Sequence, residues 1–389
     1  MLNNIIRNID YLPTILFIVS AIIWRTPYYT IGLYVLLPII IIYSFVKYRN
    51  LIISSIYWKP YLLLLIWMFL SSFLNDNTAN SLNVMISVFA TFLLSFSILS
   101  LSQNGSNGKM IELGFFALFV AILYTTITSG HFSTSFDYSN ETERRGNTEL
   151  NSNQYAYFSL FAIMAIRLLI GKSENKRLYL RSFLYLALGA MAFWVALLTA
   201  SRQVLLTEIP VIVFFIFYDF IGKGAAVSKY FILFGLIIVA FFLSPHVLDL
   251  YDNSYLAVRS NERFQEDERY SLLLIGLQQG LDNPFWGLGF GADVAYTHCT
   301  YTHLLARCGI PALLLYIHMI YTSIKQQLYR YRETNDRYFF LLFFLTVIFA
   351  YANFFYSYIN QPFMMTILFL IVGESNLIYN QFYYKIEDN

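Results

Sequence analysis

The chain has 389 residues, of which 58% are apolar, 19% aromatic and only 12% charged, against about 25% charged in an ordinary soluble domain. A water-facing fold of this length cannot enclose so much apolar surface, so the expected class is an all-α integral membrane protein. A net charge of +2 with no basic run longer than two residues excludes nucleic acid as a partner, and the two cysteines, Cys299 and Cys308, exclude a disulfide scaffold.

Met1 to Asp10 lacks a basic stretch followed by a short apolar core and a small-residue cleavage site, so no cleaved signal peptide is expected. Twelve apolar runs follow, each bounded by charged residues or by Gly, Pro and Asn. They cover roughly 11–24, 27–46, 60–75, 82–101, 111–129, 153–171, 182–200, 203–221, 229–246, 302–324, 338–355 and 359–380. The runs are continuous and show no period-two alternation, which favours helices over a barrel. No repeat of fixed period stands out, and nothing marks a separate soluble domain, so residues 1–389 read as one polytopic membrane domain.

Basic residues set the orientation. With the N-terminus in the cytoplasm, the inner segments carry Arg7, Lys47, Arg49, Lys59, Lys109, Lys172, Lys176, Arg177, Arg181, Lys223, Lys229, Lys325, Arg330, Arg332, Arg337 and Lys385, which include all nine lysines. That matches the positive-inside bias at every loop and places both termini inside. The outer face carries Arg25, Arg144, Arg145, Arg202, Arg259, Arg263, Arg269 and Arg307, all arginine. Arginine grips phosphate as a rigid bidentate fork, whereas lysine acts as a point charge. The plainer alternative is that positive-inside pressure removed lysine and left a few arginines behind.

Two outer loops are long, 130–152 and 247–301. The second, of about 55 residues, far exceeds the usual connection of about 4–6, and long ordered loops tend to carry function. Within it Glu266 to Leu281 reads as a helix with an apolar stretch, Leu272 to Ile275, lying on or dipping into the outer interface.

Four constellations carry candidate chemistry. Asn151-Ser152-Asn153-Gln154-Tyr155-Ala156 opens the sixth span. Asn and Ser there suit a helix N-cap, and a polar helix N-terminus also favours an anionic or hydroxyl-rich ligand. Thr199-Ala200-Ser201-Arg202 makes the short outer turn between the seventh and eighth spans, so Arg202 stands at membrane level. A charge at that depth reads either as a ligand contact or as a snorkelling interfacial side chain. Glu208 follows as a candidate counter-ion for Arg202 or for a bound cation, and Pro210 as a candidate kink.

Asp282-Asn283-Pro284-Phe285-Trp286-Gly287-Leu288-Gly289-Phe290-Gly291 is a turn-rich run whose glycines permit either close approach to a ligand or only the shaping of a loop. His298 follows at the outer mouth of the tenth span, with His303, Arg307, Gly309 and Pro311 beyond it. A histidine there serves as a general base or as a structural group. His318, deeper in the same span, reads as a packed core residue. The His298/His303 spacing does not share a helix face and brings no third ligand, so no metal site is expected. Lysine placement alone puts all four constellations on the outer side. Aromatic faces and amides suit sugar rings, arginine suits phosphate, and a lipid-pyrophosphate sugar satisfies both.

The same residues resemble the O-antigen polymerase and ligase superfamily of bacterial envelope glycosyltransferases. The similarity lies in Asn153 to Ala156, Ser201-Arg202, Arg269, Asn283-Pro284 through Gly291, and His298 to Gly309, across the C-terminal two-thirds. Where that family has Asn directly after its His, this chain has Cys299. The resemblance implies a multi-pass protein of the bacterial cytoplasmic membrane with its site on the outer face. The activity would be inverting, metal-independent and cofactor-free glycosyl transfer from an undecaprenyl-pyrophosphate-linked oligosaccharide. By that resemblance Arg202 and Arg269 would hold the pyrophosphate and His298 would assist the acceptor hydroxyl. Arg145, Asn153, Ser201, Glu208, Tyr301 and Arg307 would support the substrate. A chain-length regulator and a flippase would be partners.

The stretch from His298 to Gly309, with Tyr301 inside it, looks most like the polymerase branch, for O-antigen or capsule. The alternatives are a ligase that transfers finished polymer to lipid A–core, and a lipid-linked sugar flippase. A flippase should carry basic residues inside its spans, and Arg167 alone lies well inside one here. It should also show two related halves, which this sequence does not.

Overall fold

The computed structural model describes residues 35, 38–39, 42, 58–75, 88–89, 92, 116, 152–170, 178–220, 235, 244–261, 268–290, 297–357 and 362–387. Among these, all regular structure is helical: α1 (Trp58–Leu74), α2 (Ser152–Ile170), α3 (Leu178–Thr199), α4 (Arg202–Phe220), α5 (Tyr255–Asn261), α6 (Glu268–Asp282), α7 (Thr300–Thr334), α8 (Arg337–Ala352) and α9 (Pro362–Glu387). Seven of them coincide with expected apolar runs, and α6 with the helix expected in the long loop. The expected spans at 11–24, 27–46, 82–101, 111–129 and 229–246 lie outside the described residues apart from isolated positions and the first residues of a helical stretch at 244–252; the 130–152 loop also lies outside them apart from Ser152, which begins α2. One described helix, Thr300–Thr334, is long and apolar enough by itself to cross a membrane. The shorter apolar helices include Lys59–Leu74, Phe183–Thr199 and Arg337–Ala352.

The chain divides into two compact units, residues 1–114 with 264–389, and residues 115–263. In the first unit, α1 packs on α7. Tyr61, Leu64, Leu65, Met68, Ser71 and Ser72 are buried, following the 3.6-residue period of one helix face, while Leu63, Ile66, Phe69 and Phe73 on the other face are exposed. Helix α6 lies on the start of α7 through Gly276 and Gly280. A Cβ at Gly276 would strike the Thr297 side chain, and one at Gly280 would strike Leu305.

Helix α7 runs ten residues beyond the apolar run that announces it, through the charged segment expected to be a cytoplasmic loop. The reason is that its polar residues find partners. Arg330 donates to Ser375 Oγ (2.7 Å) and Asn376 Oδ1 (2.6 Å) of α9, and Gln327 Oε1 accepts from Thr346 Oγ1 of α8 (2.9 Å). Asn335 then ends α7 in the left-handed conformation (φ 52°), and Asp336 caps α8 by accepting from the Tyr338 amide at 3.0 Å.

In the second unit α2, α3 and α4 pack together, with α5 against α3 and α4. Ser254 begins α5 by accepting from the Ala257 amide. The expected loop at 247–301 is thus largely helical where it is described, with a further helical stretch at 244–252. The three long helices share a buried ion pair: Arg167 of α2 meets Asp219 of α4 at 3.1 Å, both almost fully enclosed. The Tyr185 hydroxyl of α3 donates to the other Asp219 oxygen, and the Arg167 guanidinium lies over the Phe215 and Tyr218 rings. Helix α4 continues through Pro210.

Candidate functional site

The site-bearing part of the first unit is built on a break in α7. Gly309 has φ 76° and ψ −175°, outside helical geometry, and Pro311 two residues later has no N–H. The break turns the Ile310 amide away from the helix to Pro284 O (2.7 Å), and the Arg307 carbonyl has no helical donor, because that donor would be Pro311. The Gly-rich run supplies what is missing. Leu288 N donates to Ala306 O and Gly289 N to Arg307 O, both at 2.9 Å.

Helix α1 completes the set. Ser71 donates to Arg307 O (2.9 Å) and contacts Trp286 O, and Trp67 Nε1 donates to Cys308 O (2.8 Å) while its ring stacks on Trp286 at 4.4 Å. Ser72 Oγ accepts from Phe290 N at 3.0 Å. Gly287, at φ 65°, comes so close to the Arg307–Cys308 peptide that any Cβ would collide with it, and Gly309 is equally tight against Phe285. The close approach that these glycines permit is therefore to the α7 backbone.

His298 sits just before α7, half-buried, with φ 50°. A non-glycine residue held there stores backbone strain, a feature that concentrates at functional sites. Cys299 next to it is the extended N-cap, buried, reduced and with no side-chain capping bond. The first amide of α7, Thr300 N, donates to Asn353 O (2.9 Å), and its hydroxyl to Tyr356 O (2.9 Å), so the end of α8 occupies the start of α7.

His303, one turn further, is buried, with Nδ1 at 2.7 Å from Ser357 Oγ and its ring stacked on Phe290. Tyr301 donates to Ala350 O (2.7 Å), and Arg307 donates to Phe290 O with its guanidinium 5.7 Å from the Phe290 ring. These two expected substrate contacts are thus engaged in holding the turn and the α8 end. His318 is exposed on the α7 surface, 3.5 Å from Thr322 Oγ1, not packed in a core as expected. It falls on the face that also exposes Leu314 and Tyr321. Arg269 stands in the first turn of α6.

In the second unit the turn between α3 and α4 is two residues long, Ala200-Ser201. Ala200 has φ 46°, Ser201 is buried with its amide donating to Ala196 O, and Arg202 is the first residue of α4, half-buried. Asn153 lies in the first turn of α2. Glu208 is fully buried and bonded to Ser159 of α2. The structure gives this carboxyl a hydroxyl partner on the neighbouring helix, where the sequence offered Arg202. Arg145 lies outside the described residues.

Three of the expected residues, His298, Tyr301 and Arg307, therefore gather around the α7 start in one unit. Ser201 and Arg202 meet at the α4 start in the other, and Glu208 lies in the second turn of α4 against Ser159 of α2. Sequence reading missed Trp67, Ser71, Asn353 and Ser357, which hold the α7 start and the break. Trp67, Ser71 and Asn353 are polar or aromatic residues inside apolar runs, and Ser357 lies in the short gap between two of them; such interruptions were the one available signal. Among the described residues no group of three or more His, Cys, Asp or Glu is placed to hold a metal ion. No model of a known protein family matches the chain, and no curated protein matches it.

Proposed function

We propose that this chain is a bacterial surface-polysaccharide polymerase, for O-antigen or capsule, embedded in the cytoplasmic membrane through about twelve helices with both termini inside. It joins undecaprenyl-pyrophosphate-linked oligosaccharide units on the outer leaflet. The membrane reading is supported by large apolar side chains that point outward, among them Leu63, Phe69, Phe73, Leu314 and Tyr321. Large apolar side chains on the outer surface are what lipid-facing helices require.

The observation that carries the catalytic reading is backbone strain. Among the described residues three non-glycine positions have positive φ: Asn335, an ordinary helix end, and Ala200 and His298. His298 is the expected base within the motifs of the resemblance, and Ala200 immediately precedes the Ser201-Arg202 motif. In this reading Arg202 and Arg269 hold the donor pyrophosphate and neutralise it as a leaving group. His298 takes the proton of the acceptor hydroxyl while that oxygen attacks the anomeric carbon from the opposite side, and the bond to the pyrophosphate breaks. Asn153, Ser201 and Arg145 support the donor, and Tyr301 and Arg307 shape the wall. Transport is the weaker reading, because Arg167, the one basic residue well inside an expected span, is bound to Asp219.

Deletion followed by a surface-polysaccharide gel tests the reaction. A single-repeat band is the expected result, whereas loss of all attached polymer with lipid-linked chains accumulating would make the chain a ligase. Arg202→Lys and Arg269→Lys keep the charge and lose the fork, so each should cut polymer by about tenfold or more at normal membrane abundance. Full activity in both variants would remove the phosphate clamp.

A further inference from the structure

Ser159 Oγ stands within hydrogen-bond distance of two oxygens. One is the Ala156 carbonyl of its own helix, at 2.8 Å, and the other is Glu208 Oε1 of α4. A serine hydroxyl has one proton to give and two lone pairs. A carbonyl can only accept, and donation to the carbonyl three residues back is a standard local bond of serine in a helix. If the hydroxyl proton goes there, the contact with Glu208 needs a proton from the other side, and only a protonated carboxyl has one.

The surroundings agree. Glu208 is fully enclosed, and its other oxygen, Oε2, has no hydrogen-bond partner among the described residues. A carboxylate anion in that place would be buried with one bare oxygen, at far greater cost than a neutral acid. The helix geometry also separates it from Arg202: six residues along α4 turn Glu208 by about 120° and carry it about 9 Å down the axis.

We propose that Glu208 is a neutral carboxylic acid that donates its proton to Ser159, joining α2 to α4 as the positioning residue for the Arg202 end of α4. It is then neither the ionic partner of Arg202 nor a ligand for a cation. Together with the proposed function, on which this role rests, the assignment explains how an acid can stand in the second turn of the helix that begins at Arg202 without opposing the anionic donor, since a neutral carboxyl leaves the positive potential at the α4 start intact.

Two measurements on the full chain in membranes test this. The infrared spectrum should contain the carbonyl stretch of a protonated acid, absent from Glu208→Gln. No difference between the two spectra in that band overturns the proposal, and this arm does not depend on which reaction the protein performs. In the second, Glu208→Gln, which keeps a neutral donor, should retain polymer within about twofold of the parent, while Glu208→Ala, which leaves Ser159 without a donor, should lose about tenfold or more. Equal loss in both variants at normal abundance overturns the role as a neutral donor. Full polymer in Glu208→Ala overturns the positioning role.

Discussion

Ala200 and His298 occupy the same backbone basin with different side chains, a buried methyl and a half-exposed imidazole. Glycine adopts this basin without the steric cost of a Cβ, so His298→Gly removes the imidazole while leaving the backbone free to keep its turn. His298→Gly relieves the left-handed penalty of about 1 kcal/mol. We expect loss of polymer at normal membrane abundance, and polymer made by the glycine variant would show that the imidazole is dispensable. Spacing alone put His298 and His303 at the same helix mouth. What separates them is Ser357, 54 residues further on, which holds His303 in the interior. Glu208 and Ser159, 49 residues apart, tell the same story. The residue types of the site were legible in the sequence, but their partners were not, because tertiary packing chose them.

At the scale of elements, the break in α7 and the Gly-rich turn are one device, in which each satisfies the backbone groups that the other leaves open. Gly309→Ala would place a methyl against the Phe285 carbonyl at a φ of 76°, and should cost about 2–4 kcal/mol. Pro311→Ala should cost less than about 1 kcal/mol, because Arg307 O already has donors in Gly289 and Ser71. Thermal unfolding of the two variants checks the contrast, and equal losses would mean that the proline sets the break as much as the glycine does. Helices α1, α2, α3, α4, α8 and α9 were legible as apolar runs, since burial and helix length are written directly in hydropathy. The tail of α7 was not, because Arg330 and Gln327 look like loop residues until α8 and α9 offer Ser375, Asn376 and Thr346. The helices at 244–252 and Tyr255–Asn261 are too short and too polar for the same signal.

For the whole molecule, composition alone pointed to membrane, and lysine placement to an orientation. Both native cysteines are buried, so single added thiols can read the sidedness of the first unit. Asn283→Cys, in the exposed part of the Gly-rich turn, should react with an impermeant thiol reagent on intact cells lacking an outer barrier, whereas Arg332→Cys, near the end of α7, should react only after lysis. The reverse pattern would invert the orientation read from the lysines. The all-helical class was legible at this scale. The division into two compact units was not, because it depends on which distant segments touch: residues 1–114 pack with 264–389.

The Arg167–Asp219 pair has a consequence for how the protein is made. Arg167 leaves the ribosome 52 residues before its partner, an interval of about 3–10 s at ordinary rates of synthesis. Through that interval a cation in an apolar helix has no Asp219 to meet, and the Tyr185 hydroxyl arrives before the carboxylate that it will serve. In the proposed membrane reading, release of α2 into lipid as a finished span is therefore costly until Asp219 arrives. The expected order is that α2 stays beside the insertion machinery until α4 is complete and the three helices enter as a set.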